Sequence, residues 1–487
     1  MDDNLDALIN RRSFLRRGAC ASLGMAGLAS QVFTLRTAQA LLADVGGFGD
    51  YKAAVCIFLF GGNDSHNMLV PFDGGPENLA QYQAARTTLA LTEGQAAGQV
   101  IAPSNTAGRR FAFHPAMADV ANLFNSGNAS IVANVGTLIQ SVTRDQFFNG
   151  SAKLPPQLFA HNIQQEQWQV STADAIDRIG WGGRVADVLQ ACGANSDSSV
   201  AMNISLAGNN FFLSGRSVSP FVMSAGSQIG LEADLFSDAD QGVLAQAYAD
   251  MLAVSRTPQF AARSQMAKAY SDISSRALDG ADAVNAALAA TSSIQTPRPN
   301  NGLSAQLETV ARLIEQGPSV LGHQRQIFFV ATGGFDNHDR LIGTDATDGD
   351  HANRLSEINS ALSYFWSVLG DIGMRDSVTT FTASDFGRTY VSNGDGSDHA
   401  WGAEHLIMGG SQLNGGRLFG TYPTILPNGP DDAGSNGRFI PTTAVDQYAF
   451  EIARWLGVPI SEMTTIFPNL TRFLEPTDPS THLGILA

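Results

Sequence analysis

Cysteine is nearly absent from this chain: three residues in 487 exclude a disulfide framework and any cysteine-rich zinc module. Charge is sparse at 15% of residues, and basic charge is the sparser kind, with 29 Lys and Arg against 45 Asp and Glu. The resulting −16 argues against a nucleic-acid binder that relies on a basic surface. Long hydrophobic runs are missing too, since no stretch after the N-terminal segment approaches the ~20 apolar residues a spanning helix needs. No Walker loop or GxGxxG follows a strand-like run, and no GxSxG elbow occurs, which leaves nucleotide binding and the usual serine hydrolase elbow without support. Solenoid repeats and low-complexity tracts are also lacking. What remains is a chain with 44% hydrophobic residues, able to bury a large core.

The first forty residues read as an address. Arg11 and Arg12, with Phe14 and Leu15 at the usual offsets, precede a moderately apolar Gly/Ala-rich stretch from Gly18 to Phe33 that closes on Ala38-Gln39-Ala40. These are the three regions of an export signal, and the paired arginines predict recognition by the twin-arginine export machinery, which carries folded proteins to the periplasm or beyond. Residues 41–487 are then the mature chain, with no membrane span. Cys56, inside the apolar run AAVCIFLF, reads as a small buried hydrophobe.

Four apolar runs end abruptly in glycine with acidic or hydroxyl residues: Ala53 to Phe60, Ser130 to Val135, Gln326 to Ala331 and Val378 to Thr382. Continuous apolarity, rather than alternation, marks strands covered on both faces. Helical spacing between them, at Ala116 to Phe124, Ile163 to Val170, Ala352 to Leu369 and Val445 to Leu456, predicts an α/β fold with a doubly wound, mostly parallel sheet. Two stretches interrupt this single domain of residues 41–487: a β-rich, hairpin-like excursion at about 199–227 and a helical insertion at about 239–302.

Chemistry-bearing residues collect where strands end. His66 in GGNDSHN, His338 in GGFDNHD, and His399 and His405 in GSDHAWGAEH all lie beside carboxylates in Gly-rich loops. Carboxylate and imidazole together are the ligand mixture of zinc, manganese and related divalent ions. Asp64, Asp336 and Asp385 each follow an apolar run, so a wound sheet brings them to one edge, where ligands of open α/β sheets bind. Capping and turn formation are the local alternative for each aspartate.

GGNDSHNMLVP, PPQLFAHNIQQEQW, GGFDNHD, SDFGRT and GSDHAWGAEHLIMGG, in this order, resemble the bacterial exported family called domain of unknown function 1501. That family is grouped by similarity with the alkaline phosphatase and sulfatase superfamily. The resemblance implies a doubly wound sheet and a divalent metal, whether zinc, manganese, calcium or magnesium. It also implies Asp64 as the first-strand ligand, Asp336 with His338 as the middle pair, Asp385 as the acidic half of an Asp-His element, and His399 as the late histidine. Phe386 stands where the other half of Asp-His is usual, and Asp336 and His338 are closer in sequence than the usual pair. Ala160 occupies the helix start where the superfamily has a nucleophilic hydroxyl; Ser65, Thr137, Ser141 and Thr143 are other hydroxyls near the same edge. His161 is a candidate for substrate binding, metal ligation or proton transfer, and Arg388 for holding an anionic substrate bidentately.

Two readings follow. One is an exported metal-dependent hydrolase of phosphate or sulfate esters, the metal holding the anionic group and activating water or a hydroxyl. The other is a non-catalytic exported protein that keeps the fold and binds a surface polymer or another protein.

Overall fold

A computed structural model describes residues 48–174, 178–196, 198–226 and 241–487; the expected export signal lies outside them. Nine strands form the main sheet. In chain order they are β1 (Lys52–Leu59), β2 (Ala129–Gly136), β3 (Asn203–Ser205), β4 (Phe221–Val222), β5 (Arg325–Thr332), β6 (Val378–Ser384), β7 (Ala403–Met408), β8 (Leu418–Phe419) and β9 (Thr443–Ala444). They lie side by side as β8-β2-β7-β6-β1-β5-β3-β4, with β9 also paired to β2. All these pairings are parallel except those of β7, which runs antiparallel to both β2 and β6.

Burial on both faces explains the unbroken apolar runs. In β1, Val55, Ile57 and Leu59 enter one core with helices Gly302–Glu315 and Asp350–Asp371, while Ala54, Cys56 and Phe58 enter another with helices Trp181–Ala191 and Val445–Trp455. This is the doubly wound arrangement the β–α alternation predicts. Cys56 and Cys192 are both buried and free.

Two expectations about the interruptions meet different fates. Residues 241–289 are helical as expected, in the pieces Gln241–Ser255, Pro258–Ala261 and Gln265–Ala289. The excursion, described as far as residue 226, is not a hairpin there: β3 and β4 pair in parallel and extend the main sheet beyond β5. A second small sheet, antiparallel, is built from Leu69–Asp73, Val100–Ile101 and Arg110–Phe113.

Register sets the site. Leu59 of β1 is level with Thr332 of β5 and Ser384 of β6, so these three strands end together. Because β7 runs the other way, its first residue, Ala403, arrives at that same edge opposite Val135 of β2. The loops bearing Asp64, Asp336, Asp385 and His399 therefore all open on one edge.

Candidate metal centre at the carboxyl edge of the sheet

Glycine lets the loops close on each other. Gly61 and Gly62 have φ of +115° and +82°, and a Cβ on Gly61 would stand 2.5 Å from the Asp336 backbone nitrogen. One on Gly62 would stand 2.6 Å from the Phe386 ring. Only a residue without a side chain fits both the backbone angles and the space.

Behind this turn, helix α1 (His161–Val170) begins, and it brings His161 to the edge. His161 Nδ1 lies 2.6 Å from Asp385 Oδ2, which also accepts from the Gln165 amide at 2.8 Å and from the Gly61 N–H at 3.2 Å. Gln165 follows His161 by one helical turn, so both reach the same carboxylate. The Asp385 side chain is wholly buried. His399 enters through a backbone bridge to Arg388, with its Nδ1 2.7 Å from the Phe159 carbonyl oxygen. His338 places its Nδ1 3.1 Å from Asp398 Oδ1.

Each of the three Nδ1 partners is a carbonyl or carboxylate oxygen, which only accepts. Each Nδ1 therefore carries a proton, and in the neutral imidazoles each Nε2 then presents a bare lone pair. Those lone pairs converge. Nε2 of His399 lies 2.9 Å from Nε2 of His161 and 2.9 Å from Nε2 of His338. Asp336 Oδ1 completes the group at 3.4 Å from His161, 3.1 Å from His338 and 3.2 Å from His399. In that state the converging atoms are all acceptors and repel one another unless a cation or a proton sits between them. The spacing of His161, Asp336 and His399 fits a metal ion: donors about 2.0–2.1 Å from a tetrahedral ion stand about 3.3 Å apart, and these three lie 2.9, 3.2 and 3.4 Å from one another. His161, Asp336 and His399 form the set of convergent metal-ligating groups found among the described residues, and His338 adjoins it.

The surroundings tune this set. The hydrogen bond that His161 donates to Asp385 leads in raising the pKa of His161, while burial leads in lowering that of His399. Burial alone would raise the pKa of Asp336, but the hydrogen bond and charge of Arg388 hold it below the ordinary carboxylate value. Phe386 lies against both rings, with centroids 4.7 Å from His161 and 4.8 Å from His399. It acts as a wall.

Residues 51–443 match the family described as "protein of unknown function (DUF1501)". The chain belongs to this family. No curated protein matches the DUF1501 chain. Among solved structures it is similar to the lipoteichoic acid synthase LtaP from Listeria monocytogenes, at 7% identity and a TM-score of 0.36, over 84% of this chain and 72% of that one. It is also similar to the PsFucS1 sulfatase from Pseudoalteromonas sp., at 11% identity and a TM-score of 0.32, over 87% of this chain and 75% of that one.

The DUF1501 chain departs from the sequence-based site at several positions. Asp64 lies on the expected edge but is buried in an ion pair with Arg86, a fully buried guanidinium that also donates to the carbonyls of Thr389 and Tyr390 at 3.2 Å. It is a counter-ion. Asp385 holds His161 by its Nδ1 and so stands behind the ligand atoms. Arg388 does not offer itself to an anion: it is buried, bonded to Asp336 Oδ1 at 2.7 Å, to Gly61 O at 3.2 Å and to Ser397 O. Those contacts position Asp336. His161, expected to bind substrate, metal or a proton, sits among the ligand atoms. His405 is far from this task, buried in β7 beside Thr382 at 3.3 Å, with burial pushing its pKa down to about 3. His66 is likewise buried, 3.6 Å from Glu404. Ser65 gives its hydroxyl to Glu404, Thr137 gives its own to Gln164 at 3.1 Å, and Thr143 caps the helix Arg144–Asn149. Asp398 and Phe159, which orient His338 and His399, escaped the sequence reading; the Asp-His order in GSDHAW was the one visible signal.

Proposed function

We propose that the chain is an exported metal-dependent hydrolase of phosphate or sulfate esters, with His161, Asp336 and His399 as its metal ligands and His338 beside them. The observation that supports this most is the convergence of the Nε2 atoms of His161 and His399 with one carboxylate oxygen of Asp336, each imidazole oriented by a proton acceptor behind it. Two imidazole nitrogens and a carboxylate oxygen are a donor set for zinc, and poorly suited to calcium or magnesium, which prefer all-oxygen shells. Bound there, the ion supplies Lewis acidity and lowers the pKa of water, and that chemistry removes the need for the hydroxyl Ala160 lacks.

The chain's own residues supply the rest. Asp385 and Asp398 fix the tautomers of His161 and His338. Phe386 excludes water from one side of the imidazoles. Ala160 makes no side-chain cap, so the first N–H groups of α1 are left unpaired by the helix and favour a negative group at its N-terminus.

A second reading, a non-catalytic exported binding protein that keeps the fold, with or without a structural ion, draws on one observation: Ala160 stands where a nucleophilic hydroxyl was expected, at the start of the helix that carries His161. Metal analysis of purified protein, followed by hydrolysis assays on aryl phosphate mono- and diesters and aryl sulfates, separates the two. Stoichiometric zinc is expected in wild type, and His161→Ala or His399→Ala should each lower it well below one equivalent. Zinc without turnover of any ester favours the scaffold; wild-type protein that takes up no metal sinks the hydrolase and leaves the scaffold.

Export belongs to the same proposal and rests on Arg11, Arg12 and Ala38-Gln39-Ala40. Replacing both arginines by lysine should strand the protein in the cytoplasm. Unchanged secretion of that variant would refute the twin-arginine route. Among the described residues no helix is long and apolar enough to cross a membrane.

A further inference from the structure

One cation beside the centre is used neither by the motifs nor by the ligand set. It is carried on a loop built around Asp432, a wholly buried carboxylate. Oδ1 accepts from the N–H groups of Gly434 at 2.8 Å and Arg438 at 2.9 Å, and Oδ2 from those of Asn428 at 2.8 Å and Gly437 at 2.9 Å. Four charge-assisted bonds to one side chain hold the loop in a single shape. Arg438 stands at its end.

The Arg438 side chain docks on the residues that hold His399. Its Nε donates to the His399 carbonyl oxygen at 2.9 Å, and its guanidinium carbon lies 4.8 Å from the centre of the Phe159 ring. Phe159, at a φ of +69°, is the residue whose carbonyl accepts from His399 Nδ1. Stacking and one hydrogen bond thus fix the planar group next to the centre. Neither terminal nitrogen has a hydrogen-bond or carboxylate partner among the described residues. The contrast with Arg388 is complete, since that guanidinium is buried and consumed by Asp336, Gly61 and Ser397. The uncapped N-terminus of α1 begins two residues after Phe159.

We propose that Arg438 receives the anionic oxygens of the substrate, a phosphate or sulfate group, through its two free terminal nitrogens. This rests on the ester-hydrolase reading. A fork of parallel N–H donors matches two oxygens of such a group, and Arg388, the guanidinium bonded to the ligand Asp336, is already taken up by protein oxygens.

The test is anion binding by the zinc-loaded full chain, titrated calorimetrically with inorganic phosphate and, separately, inorganic sulfate at one ionic strength. Wild type is expected to bind at least one of them. Arg438→Ala should weaken that anion about tenfold to a hundredfold with zinc content unchanged, as expected for loss of charge-assisted hydrogen bonds. Arg438→Lys should fall between, because a single ammonium cannot fork. Unchanged anion affinity in the lysine and alanine variants overturns the proposal. So does parallel loss of zinc and anion in both, which would reduce Arg438 to a prop for His399. Zinc-loaded wild type that binds neither anion overturns the ester reading itself, and this proposal with it.

Discussion

Asp64 and Asp385 are buried aspartates on neighbouring loops, and their partners give them different tasks. Asp64 is paired with Arg86, whose charge leads the opposition to burial and brings its pKa below the ordinary value. Asp64→Asn leaves a buried guanidinium uncompensated, which should cost about 3–5 kcal/mol of stability in chemical denaturation. Zinc content should stay the same. Asp385→Asn should do the reverse, weakening zinc about 10–100-fold through loss of the anionic acceptor behind His161, with the smaller effect on unfolding. Equal loss of zinc in both variants would show that Asp64 is a ligand after all. The sequence offered no means to tell them apart: a glycine-rich turn with aspartate after a strand suits a ligand and a counter-ion equally. The deciding residue, Arg86, lies 22 positions beyond Asp64 and meets it only in the folded chain.

At the scale of elements, β1, β2, β5 and β6 were legible because strands covered on both faces must be apolar throughout, and their shared edge followed from the parallel sheet. The strand β7 was hidden by Glu404 and His405, polar residues buried inside it that break the apolar run. The pairing of β3 with β4 was misread because strands of three and two residues carry too little pattern to set direction. The Gly61-Gly62 turn is the element on which the centre's closure depends most. Gly62→Ala places a methyl against the Phe386 ring at a φ of +82°, a backbone angle that costs an L-residue about 1–2 kcal/mol before any clash. Since Phe386 rests on His161 and His399, the variant should lose both denaturation midpoint and zinc. Gly98→Ala, with open space at its Cβ and no such angle, is the control expected to change neither. Full zinc retention in Gly62→Ala would mean that Phe386 can move without disturbing the imidazoles.

Buried histidines such as His323, His351 and His405, held below their ordinary pKa, cost the fold stability as pH falls below about 6.5, while the self-repulsion of a molecule with a net charge of −16 eases as carboxylates are protonated and favours acid. One buried group adds to the second effect and can be isolated. Asp446, in the first turn of the helix Val445–Trp455, is 2% exposed, and burial raises its pKa to about 7. Unfolded, the same carboxyl titrates near about 3.9. Because the folded value is the higher, the folded chain binds the proton more tightly, and the stability this confers is fully present below about pH 4 and lost as pH rises towards 7. The buried ion pair of Asp64 has the opposite sign, with a depressed folded pKa, so its contribution is lost only as pH falls below the ordinary aspartate range. Asp446→Asn removes the titration while keeping the size of the side chain. Urea unfolding of wild type and Asp446→Asn between pH 5 and 8 should therefore show the difference in stability shifting towards the variant as pH rises, by a few kcal/mol in order of magnitude. Parallel curves would place the charge of Asp446 in the folded protein at neutral pH, and would leave the buried histidines and self-repulsion as the sources of the slope.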